Sequence, residues 1–404
     1  MNPATLHQEL SRRLSAEDHI PFAQFMELAL YWPNGGYYAR PRQGGQDFYT
    51  APAAHPAFGA LLVLQLEEMW RILGRPTPFV VLEPGAGWGH LALDVTSYAC
   101  HLDPAFTQAL RYVAIDRAAH PMPGPGALAH WVKASGVPLR GVTGCILANE
   151  LFDAMPVHRL VMRGGHLRET FVISRQGRLS DVEGEPSTPA LTERLSSEGV
   201  ALAEGQQAEV CLALEPWLEE ASHALERGFF LILDYGHPAQ ELYSPWRVGG
   251  TLRCYYMHTV SSSPYDYPGG QDITAHVDFT ALVAAGQRCG LESYPLVTQG
   301  DFLRNLGLPM LVRRLAAAGV GQVRRDANRM AMLELARRGG MGDFRVLIQS
   351  KGVPPARLTG LEGPAPAWKE RMVPLPLPLL DGLHLDLMAA RYPHAAQDFE
   401  DLWR

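Results

Sequence analysis

The sequence has few cysteines, no long apolar run and no surplus of basic charge. Its 404 residues include five cysteines, with no pair at the C-x-x-C spacing typical of zinc and redox sites, so we expect buried free thiols in a reducing compartment. A formal net charge of −7 argues against a general nucleic-acid binder, which needs excess lysine and arginine to displace counterions. No stretch reaches the roughly 18 apolar residues of a membrane span, and the N-terminus lacks the pattern of a signal peptide. These absences predict a cytoplasmic protein with neither membrane insertion nor a nucleic-acid partner.

Short β-rich runs alternate with helical patterns along most of the chain. Four strand candidates, each bounded by turn residues, are residues 79–83, 112–116, 144–150 and 229–236. This alternation predicts an α/β fold with a Rossmann-like, parallel doubly wound sheet. Helical periodicity over residues 5–30 predicts an N-terminal helical segment, and Gly164-Gly165 predicts a hairpin appended to the sheet.

The sharpest motif is VVLEPGAGWGHLALDV, in which Glu83 ends a strand and Gly85, Gly87 and Gly89 precede a helix. Glycines suit a sharp turn and a ligand that lies against bare main chain, although a purely structural turn uses them too. The dinucleotide fingerprint of an NAD-dependent oxidoreductase would need its third glycine at position 90, which is His90. The E-x-G-x-G-x-G form is instead typical of S-adenosylmethionine-dependent methyltransferases.

The run YVAID ends at Asp116, in the strand that follows the glycine motif. An acidic side chain at the end of a second strand can accept hydrogen bonds from both ribose hydroxyls of a nucleoside cofactor, in NAD enzymes as well. The same side chain could instead cap a helix beginning at Arg117. Asp116 is therefore a candidate for cofactor binding that does not distinguish one cofactor from another.

The motif LANELFDAMPVH, residues 147–158, follows the next strand, at the edge where open α/β sheets bind ligands. Methyl transfer from a sulfonium is a direct displacement, so the enzyme has to align the acceptor and exclude water. Asn149, Glu150 and Asp153 could bind a cationic nitrogen, and the carboxylates could help to remove its proton. Alternatively, the two carboxylates cap the next helix and pair with an arginine.

The segment LDYGH places Asp234 and His237 at the same edge of the sheet. A further polar segment, GGQDITAHVDF, contains His276, and its Asp278 is expected to cap the helix that follows. The spacing of His237, His258 and His276 fits no metal-binding pattern known to us, so we predict no metal site.

Together these motifs resemble the MidA family of S-adenosylmethionine-dependent methyltransferases, over about residues 5–352. The blocks that carry the resemblance, in the family's order, are ALYWPNGGYYAR, DFYTAP, FGALLVLQLEEMW, LEPGAGWG, ANELFDAMPVHRL, LILDYGH, GTLRCYYMH, QDITAHVDFTAL, TQGDFLRNLG and FRVLIQSKG. The resemblance implies a Rossmann-like methyltransferase core with an N-terminal helical segment and a C-terminal helical insertion. It also implies S-adenosylmethionine as the cofactor.

The resemblance implies roles for three groups of residues. The cofactor-binding residues would be Glu83, Gly85, Gly87, Gly89, Asp116, Thr50 and Pro52. The transfer site would contain Asn149, Glu150, Asp153 and Asp234, and the substrate-binding residues would be Tyr38, His237 and His276. Asp47 matches the same N-terminal block as Thr50. The chain departs from the family at Ala51, where serine is common, and over residues 117–130, which are shorter and richer in glycine and proline.

We predict an N-terminal helical segment with a cofactor-covering loop over residues 1–56, a methyltransferase core over 57–352 with its helical insertion at about 299–342, and a Pro-rich extension over 353–404. The family's mitochondrial member is a complex I assembly factor and protein arginine methyltransferase. The resemblance therefore implies methylation of a protein side chain, with arginine the leading candidate and a respiratory-complex subunit one conceivable partner. The alternative is an assembly or chaperone-like protein that binds S-adenosylmethionine with little turnover. The apolar terminal segments are compatible with a homodimer.

Overall fold

The computed structural model describes the chain at residues 4–39, 50–118, 128–257, 259–261, 263–382 and 384. The chain divides into two compact units, each built from three segments. The core unit consists of Gly44–Glu150, Glu220–Asp234 and Gly286–Arg404, and the second unit consists of Met1–Gln43, Leu151–Glu219 and Tyr235–Ala285. The expected domain boundaries after residues 56 and 352 stay a prediction.

The core unit contains one eight-stranded sheet. In chain order its strands are β1 (Phe79–Pro84), β2 (Leu110–Asp116), β3 (Ala129–Lys133), β4 (Val142–Asn149), β5 (Leu225–Asp234), β6 (Glu292–Ser293), β7 (Val297–Thr298) and β8 (Arg345–Lys351). The spatial order is β6-β8-β5-β4-β1-β2-β3, with β7 also paired to β8. Strands β1 to β5 are parallel, and β8 runs antiparallel to β5. The predicted α/β class with a Rossmann-like sheet is confirmed.

The central strands β1, β4 and β5 are mainly apolar because both faces of the sheet are covered. Side chains there with no exposed surface include those of Phe79, Val81, Cys145, Ile146, Phe230 and Leu231. Gly144 is required in β4 for a different reason, since a Cβ at this position would lie 1.9 Å from the main-chain oxygen of Val80 in β1. The order of the sheet reverses between β1 and β4, and open α/β sheets bind their ligands at the C-terminal ends of the strands beside such a point.

Helices occupy most of the remaining core unit. They are Ala51–Ala54, Ala57–Ile72, His90–Ala99, Pro104–Ala109, Gln299–Leu306, Leu308–Ala316, Gln322–Glu334, Thr359–Glu362 and Pro366–Met372, with a 3-10 helix at Met341–Asp343. Two more helices, Leu214–Ala224 and Phe279–Arg288, each contain a boundary between the units. The helical insertion predicted between the last strands is present between β7 and β8.

The second unit has its own antiparallel sheet of five strands. These strands are Ile20–Pro21, His158–Arg163, His166–Arg175, Arg178–Gly184 and Gln207–Val210. The predicted hairpin at Gly164-Gly165 is confirmed, but its assignment to the parallel sheet is wrong. Gly164, Gly165, Gln176 and Gly177 all have positive φ angles of 52° to 77°, as two-residue hairpin turns require, so three consecutive strands pair with one another.

The second unit also contains two smaller sheets and several helices. Gly236–His237 pairs with Val277–Asp278, and Arg253–Tyr256 lies between Thr259–Ser261 and Asp272–Thr274. The helices are Leu6–Glu17, Phe22–Tyr31, Ala190–Ser197 and Ala239–Leu242, with a 3-10 helix at Tyr37–Ala39.

The helical periodicity over residues 5–30 corresponds to two helices rather than one. The first helix begins with Thr5 as its cap, where the threonine side chain accepts from the main-chain N–H of Gln8. It ends at Asp18, whose φ angle of 59° leaves the helical region. Ile20 and Pro21 then pair with the five-stranded sheet before the second helix starts, so tertiary pairing interrupts the periodic pattern.

All five cysteines are free, but only Cys145 and Cys254 are buried. The expectation that every thiol is buried is wrong for Cys100, which is exposed because it follows the last turn of the helix His90–Ala99. Among the described residues, every helix falls short of the length or the apolar character that a membrane span requires.

Candidate functional site

The glycine loop joins β1 to the helix His90–Ala99 through three left-handed residues. Gly85, Gly87 and Gly89 have φ angles of +73°, +53° and +76°, which side chains other than glycine rarely adopt. At Gly87 no described atom lies within 4 Å of the position that a Cβ would take. The loop therefore leaves bare main chain facing open space at the start of a helix, as an anionic or polar ligand requires.

Asp116, the last residue of β2, bonds to this loop. Its Oδ2 accepts from the main-chain N–H of Gly87 at 3.0 Å, and its Oδ1 accepts from that of Ala118 at 2.9 Å. The carboxylate thus fixes the loop that the motif predicted, a contact that the sequence analysis missed. Ribose binding by Asp116 stays a prediction. Most of residues 117–130, where the chain departs from the MidA pattern, lies outside the described residues.

Glu83 lies in β1 just before the glycine loop and is buried. The hydroxyl of Tyr112 in β2 donates to its Oε2 at 2.9 Å. Burial nevertheless raises the pKa of Glu83 to about 8, so the carboxyl is largely protonated at neutral pH when no ligand is present. A nearby cation would favour its ionised form.

Glu150 follows β4 and is held in an unusual conformation. Its φ angle is +49°, a region that costs a residue with a Cβ about 1–2 kcal/mol. The main-chain N–H of Glu150 donates to Leu233 in β5 at 2.9 Å, which ties the ends of the two strands together. Its Oε1 accepts from the main-chain N–H of Ala51 at 3.3 Å and from Nδ2 of Asn149 at 3.2 Å. The structure therefore joins the LANELFDAMPVH motif to the segment of Thr50 and Pro52.

Two further polar residues lie at the same edge of the core sheet. Asn149 ends β4, and its Oδ1 is buried with no hydrogen-bond partner among the described residues. Asp234 ends the adjacent β5 and is fully buried. A buried acceptor without a donor, such as Asn149 Oδ1, destabilises the folded protein by about 1–3 kcal/mol, and a ligand that donates to it would recover this free energy. The parallel strands β1, β2, β4 and β5 thus bring the glycine loop, Asp116, Glu150 and Asn149 to one edge of the core unit.

In the second unit, Tyr38 belongs to a cluster of aromatic and acidic residues. Its hydroxyl donates to Oδ1 of Asp272 at 2.9 Å, and its ring stacks on that of Tyr31 at 5.5 Å between centroids. Asp272 is almost completely buried. Desolvation, and then the negative charge of Asp272, raise the pKa of Tyr38 well above its ordinary value, so the phenol remains a donor. This partner of Tyr38 is Asp272, the acidic residue of the QDIT segment, to which the sequence analysis assigned no role.

Asp153 and His276 are connected through the main chain of the second unit. The N–H of Ala275 donates to the Asp153 carbonyl at 2.9 Å, and the ring of the next residue, His276, lies 5.4 Å from that of His237. Burial lowers the pKa of His276 to about 4, with His237 acting in the same direction, so its imidazole is neutral at pH 7. His276 Nδ1 is buried and has no hydrogen-bond partner within the described part of the chain. His237 Nδ1 lies 3.1 Å from Glu241 Oε2.

Asp278 is confirmed as a helix cap, because its Oδ1 accepts from the N–H groups of Thr280 and Ala281. No group of three histidine, cysteine or acidic side chains in the described ranges is arranged to hold a metal ion. His258, one of the three histidines considered for a metal, lies outside these ranges, as does Asp47.

The candidate site residues are divided between the two units. The core unit contains Thr50, Pro52, Glu83, Gly85, Gly87, Gly89, Asp116, Asn149, Glu150 and Asp234. The second unit contains Tyr38, Asp153, His237 and His276. Their roles toward cofactor and substrate stay predictions.

Comparison with known proteins gives consistent findings. A family described as "Putative S-adenosyl-L-methionine-dependent methyltransferase" matches residues 61–297. The chain is 29% identical over 340 residues to "Protein arginine methyltransferase NDUFAF7 homolog, mitochondrial" of Drosophila melanogaster, covering 75% of each chain. It is 27% identical over 355 residues to "Protein arginine methyltransferase NDUFAF7, mitochondrial" of Homo sapiens, covering 78% of this chain and 76% of that one.

A crystal structure from Burkholderia thailandensis, bound to S-adenosyl-homocysteine, matches 90% of this chain and 96% of that one, with a TM-score of 0.79 and 28% identity. The expectation of a cytoplasmic location, which rested on absences in the sequence, is overturned by the two relatives described as mitochondrial.

Proposed function

Because this chain belongs to the family of S-adenosyl-L-methionine-dependent methyltransferases that its motifs resemble, we propose that it methylates an arginine side chain of a protein. The methyl donor is S-adenosylmethionine, and the reading as an NAD-dependent oxidoreductase is set aside. The choice of arginine as acceptor, and of a protein as its carrier, rests on the printed names of relatives that cover three quarters of the chain.

The residues at the edge of the core sheet fit this cofactor. The open space at Gly87 leaves room for the methionine portion, and the unpartnered Oδ1 of Asn149 can accept from its ammonium group. Glu83 supplies a buried carboxyl whose ionisation a cationic ligand would favour. When bound, S-adenosylmethionine supplies a methyl group on a positively charged sulfur. An acceptor nitrogen attacks this methyl group directly, and the sulfur is the leaving group.

The observation that carries the proposal is the strained, anchored carboxylate of Glu150. Strain of this kind is kept at sites where a side chain must point in one direction. A carboxylate fixed by Ala51 and Asn149 can hold a guanidinium so that one nitrogen faces the methyl group. As the new carbon–nitrogen bond forms and the carbon–sulfur bond breaks, the nitrogen loses a proton, for which Glu150 is the proposed acceptor.

The second unit offers further groups suited to a guanidinium. Arginine pairs with carboxylates through two parallel hydrogen bonds and stacks on aromatic rings. Tyr31, Tyr38 and Asp272 combine both properties, and both Asp153 and Asp272 act electrostatically on the hydroxyl of Tyr38. We assign this cluster to the protein substrate, together with His237 and His276.

Incubation of the purified full-length protein with labelled S-adenosylmethionine and cell extract, followed by acid hydrolysis, tests the proposal. We expect labelled methylarginine from the wild type and at least a hundredfold less from Glu150→Gln, as removal of an acid–base group typically causes. Both proteins should bind S-adenosylmethionine equally. The exposed Glu292, in β6 of the same unit, provides the control Glu292→Gln, which should keep full activity.

Three outcomes would contradict the proposal. Full activity of Glu150→Gln would exclude the proposed role of this carboxylate. A labelled product other than methylarginine would exclude arginine as the acceptor. Saturable binding of S-adenosylmethionine by the wild type without formation of S-adenosylhomocysteine in any extract would favour the binding protein with little turnover.

A further inference from the structure

The C-terminal extension is joined to the core unit by specific hydrogen bonds. Thr359 donates through its main-chain N–H and its hydroxyl to the two carboxylate oxygens of Glu68, at 2.9 and 2.6 Å. Trp368 Nε1 donates to the carbonyl of Leu306 at 3.0 Å, and the hydroxyl of Tyr98 donates to that of Pro376 at 2.8 Å. This segment carried no functional role in the sequence analysis, yet it belongs to the fold of the core unit.

The extension reaches the helix that follows the glycine loop. His384 is buried, with 1% of its surface exposed. Its Nδ1 lies 2.7 Å from Oδ1 of Asp381, and its Nε2 lies 3.3 Å from Oδ2 of Asp94. Asp94 lies on the helix His90–Ala99, which starts directly after Gly89. Asp94 also packs closely on Gly59, where a Cβ would lie 2.5 Å from the Cβ of Asp94.

A second set of hydrogen bonds connects Leu380, in the same extension, with the segment of Thr50 and Pro52. Leu380 donates its main-chain N–H to Oδ1 of Asn328 at 2.8 Å, and His55 Nε2 lies 3.0 Å from the same oxygen. His55 Nδ1 accepts from the N–H of Ala57, so the proton of the neutral imidazole is on Nε2, which donates to Asn328. His55 directly follows the short helix Ala51–Ala54, whose first N–H bonds to Glu150.

We propose that Leu380, Asp381 and His384 form a C-terminal clasp in which His384 is a positioning residue for S-adenosylmethionine binding. His384 holds Asp94, and with it the helix whose first turn completes the glycine loop. A displacement of this helix would redirect the main-chain N–H groups that face the cofactor. Small displacements of positioning groups are costly because binding and transfer depend on precise geometry. The inference concerns the methyl donor and is independent of which acceptor is methylated.

The charges around His384 support this arrangement. Burial lowers the pKa of its imidazole, but the hydrogen bonds to Asp381 and Asp94 outweigh burial and raise the pKa to about 9. His384 in turn acts electrostatically on His90 and His55, whose pKa values burial lowers to about 4 and about 3. At neutral pH, His384 is therefore a cation between two carboxyl groups, and His90 and His55 are neutral.

Calorimetric titration of the full-length His384→Gln variant with S-adenosylmethionine tests the clasp. We expect affinity to fall about tenfold, as loss of one charged hydrogen bond to the helix predicts. In methyl-transfer assays, the KM for S-adenosylmethionine should rise while kcat and the KM for the acceptor stay within about twofold of wild type. Arg357→Ala should leave all three values unchanged, because Arg357 is exposed and its described partners, Gly363 and Glu362, belong to the same extension.

Asp381→Asn provides an independent test, because the side chain of Asp381 is 57% exposed and loss of its charge leaves the packing intact. This variant removes one group that raises the pKa of His384. The wild type should therefore lose affinity for S-adenosylmethionine only above about pH 9, and the variant at a lower pH. Wild-type affinity in a folded His384→Gln, or identical pH profiles for wild type and Asp381→Asn, would overturn the inference.

Discussion

Replacing Gly87 by alanine tests whether the open space over the glycine loop belongs to the cofactor. Because no described atom lies within 4 Å of the new Cβ, the substitution meets no clash with the described residues. Its only intrinsic cost is the left-handed backbone, with φ at +53°, which destabilises a residue with a Cβ by about 1–2 kcal/mol. A bound ligand lying on this main chain, however, would meet the added methyl group.

Gly74 offers a matched control in the same unit. Its φ angle is +82°, and a Cβ there would also have no described atom within 4 Å. Gly74 lies between the helix Ala57–Ile72 and the start of β1, whereas the glycine loop follows the end of β1. We therefore expect Gly74→Ala and Gly87→Ala to lose a similar free energy of unfolding, about 1–2 kcal/mol each. Only Gly87→Ala should also lose affinity for S-adenosylmethionine, by about tenfold to a hundredfold, since overpacking by one methyl costs about 1–3 kcal/mol.

Two measurements separate these effects. Chemical denaturation of the ligand-free proteins gives the cost in stability, and calorimetric titration gives the affinities for S-adenosylmethionine and S-adenosylhomocysteine. Wild-type affinity in Gly87→Ala would refute the assignment of this space to the cofactor. An equal loss of affinity in Gly74→Ala would show instead that general destabilisation weakens binding.

Three further predictions concern charge. The pKa of Glu83 is raised from 4.5 to about 8, so the ligand-free protein should lose stability as the pH rises from about 4.5 to 8. In denaturation curves, Glu83→Gln should abolish this loss. Binding of S-adenosylmethionine by the wild type should release a proton, measured by calorimetry in two buffers. The raised pKa of His384 contributes roughly 3 kcal/mol to the free energy of unfolding, fully present below about pH 6.5 and lost as the pH rises through 9. An equal loss of stability over this pH range in His384→Gln would contradict this prediction. Asp272→Asn should raise the KM for the protein acceptor without changing affinity for S-adenosylmethionine, and a change confined to the cofactor would place Asp272 elsewhere.

Local patterns in the sequence were sufficient for much of the core unit. The strands β1, β2, β4 and β5 are predictable because each corresponds to a short β-rich run bounded by turn residues. The glycine loop is predictable for a similar reason, since Gly85, Gly87 and Gly89 have left-handed conformations that few other residues tolerate. These features depend on neighbours in the chain, which a sequence displays directly.

The partners of the candidate site residues could not be predicted in this way. Asp116 was expected at a strand end, but its bond to Gly87 depends on the pairing of β1 with β2. The hairpin at Gly164-Gly165 was evident, whereas the sheet that it joins was not, because a hairpin has the same local pattern in either sheet.

The sequence by itself determined the class of fold, the glycine loop and the family to which the chain belongs. Only the tertiary structure decided which side chains support the loop. Asp94 and His384 are 290 residues apart, and no period or motif connects them. Their contact exists because the C-terminal extension packs on the helices of the core unit, and packing of this kind depends on shape and burial across the whole unit rather than on any local pattern.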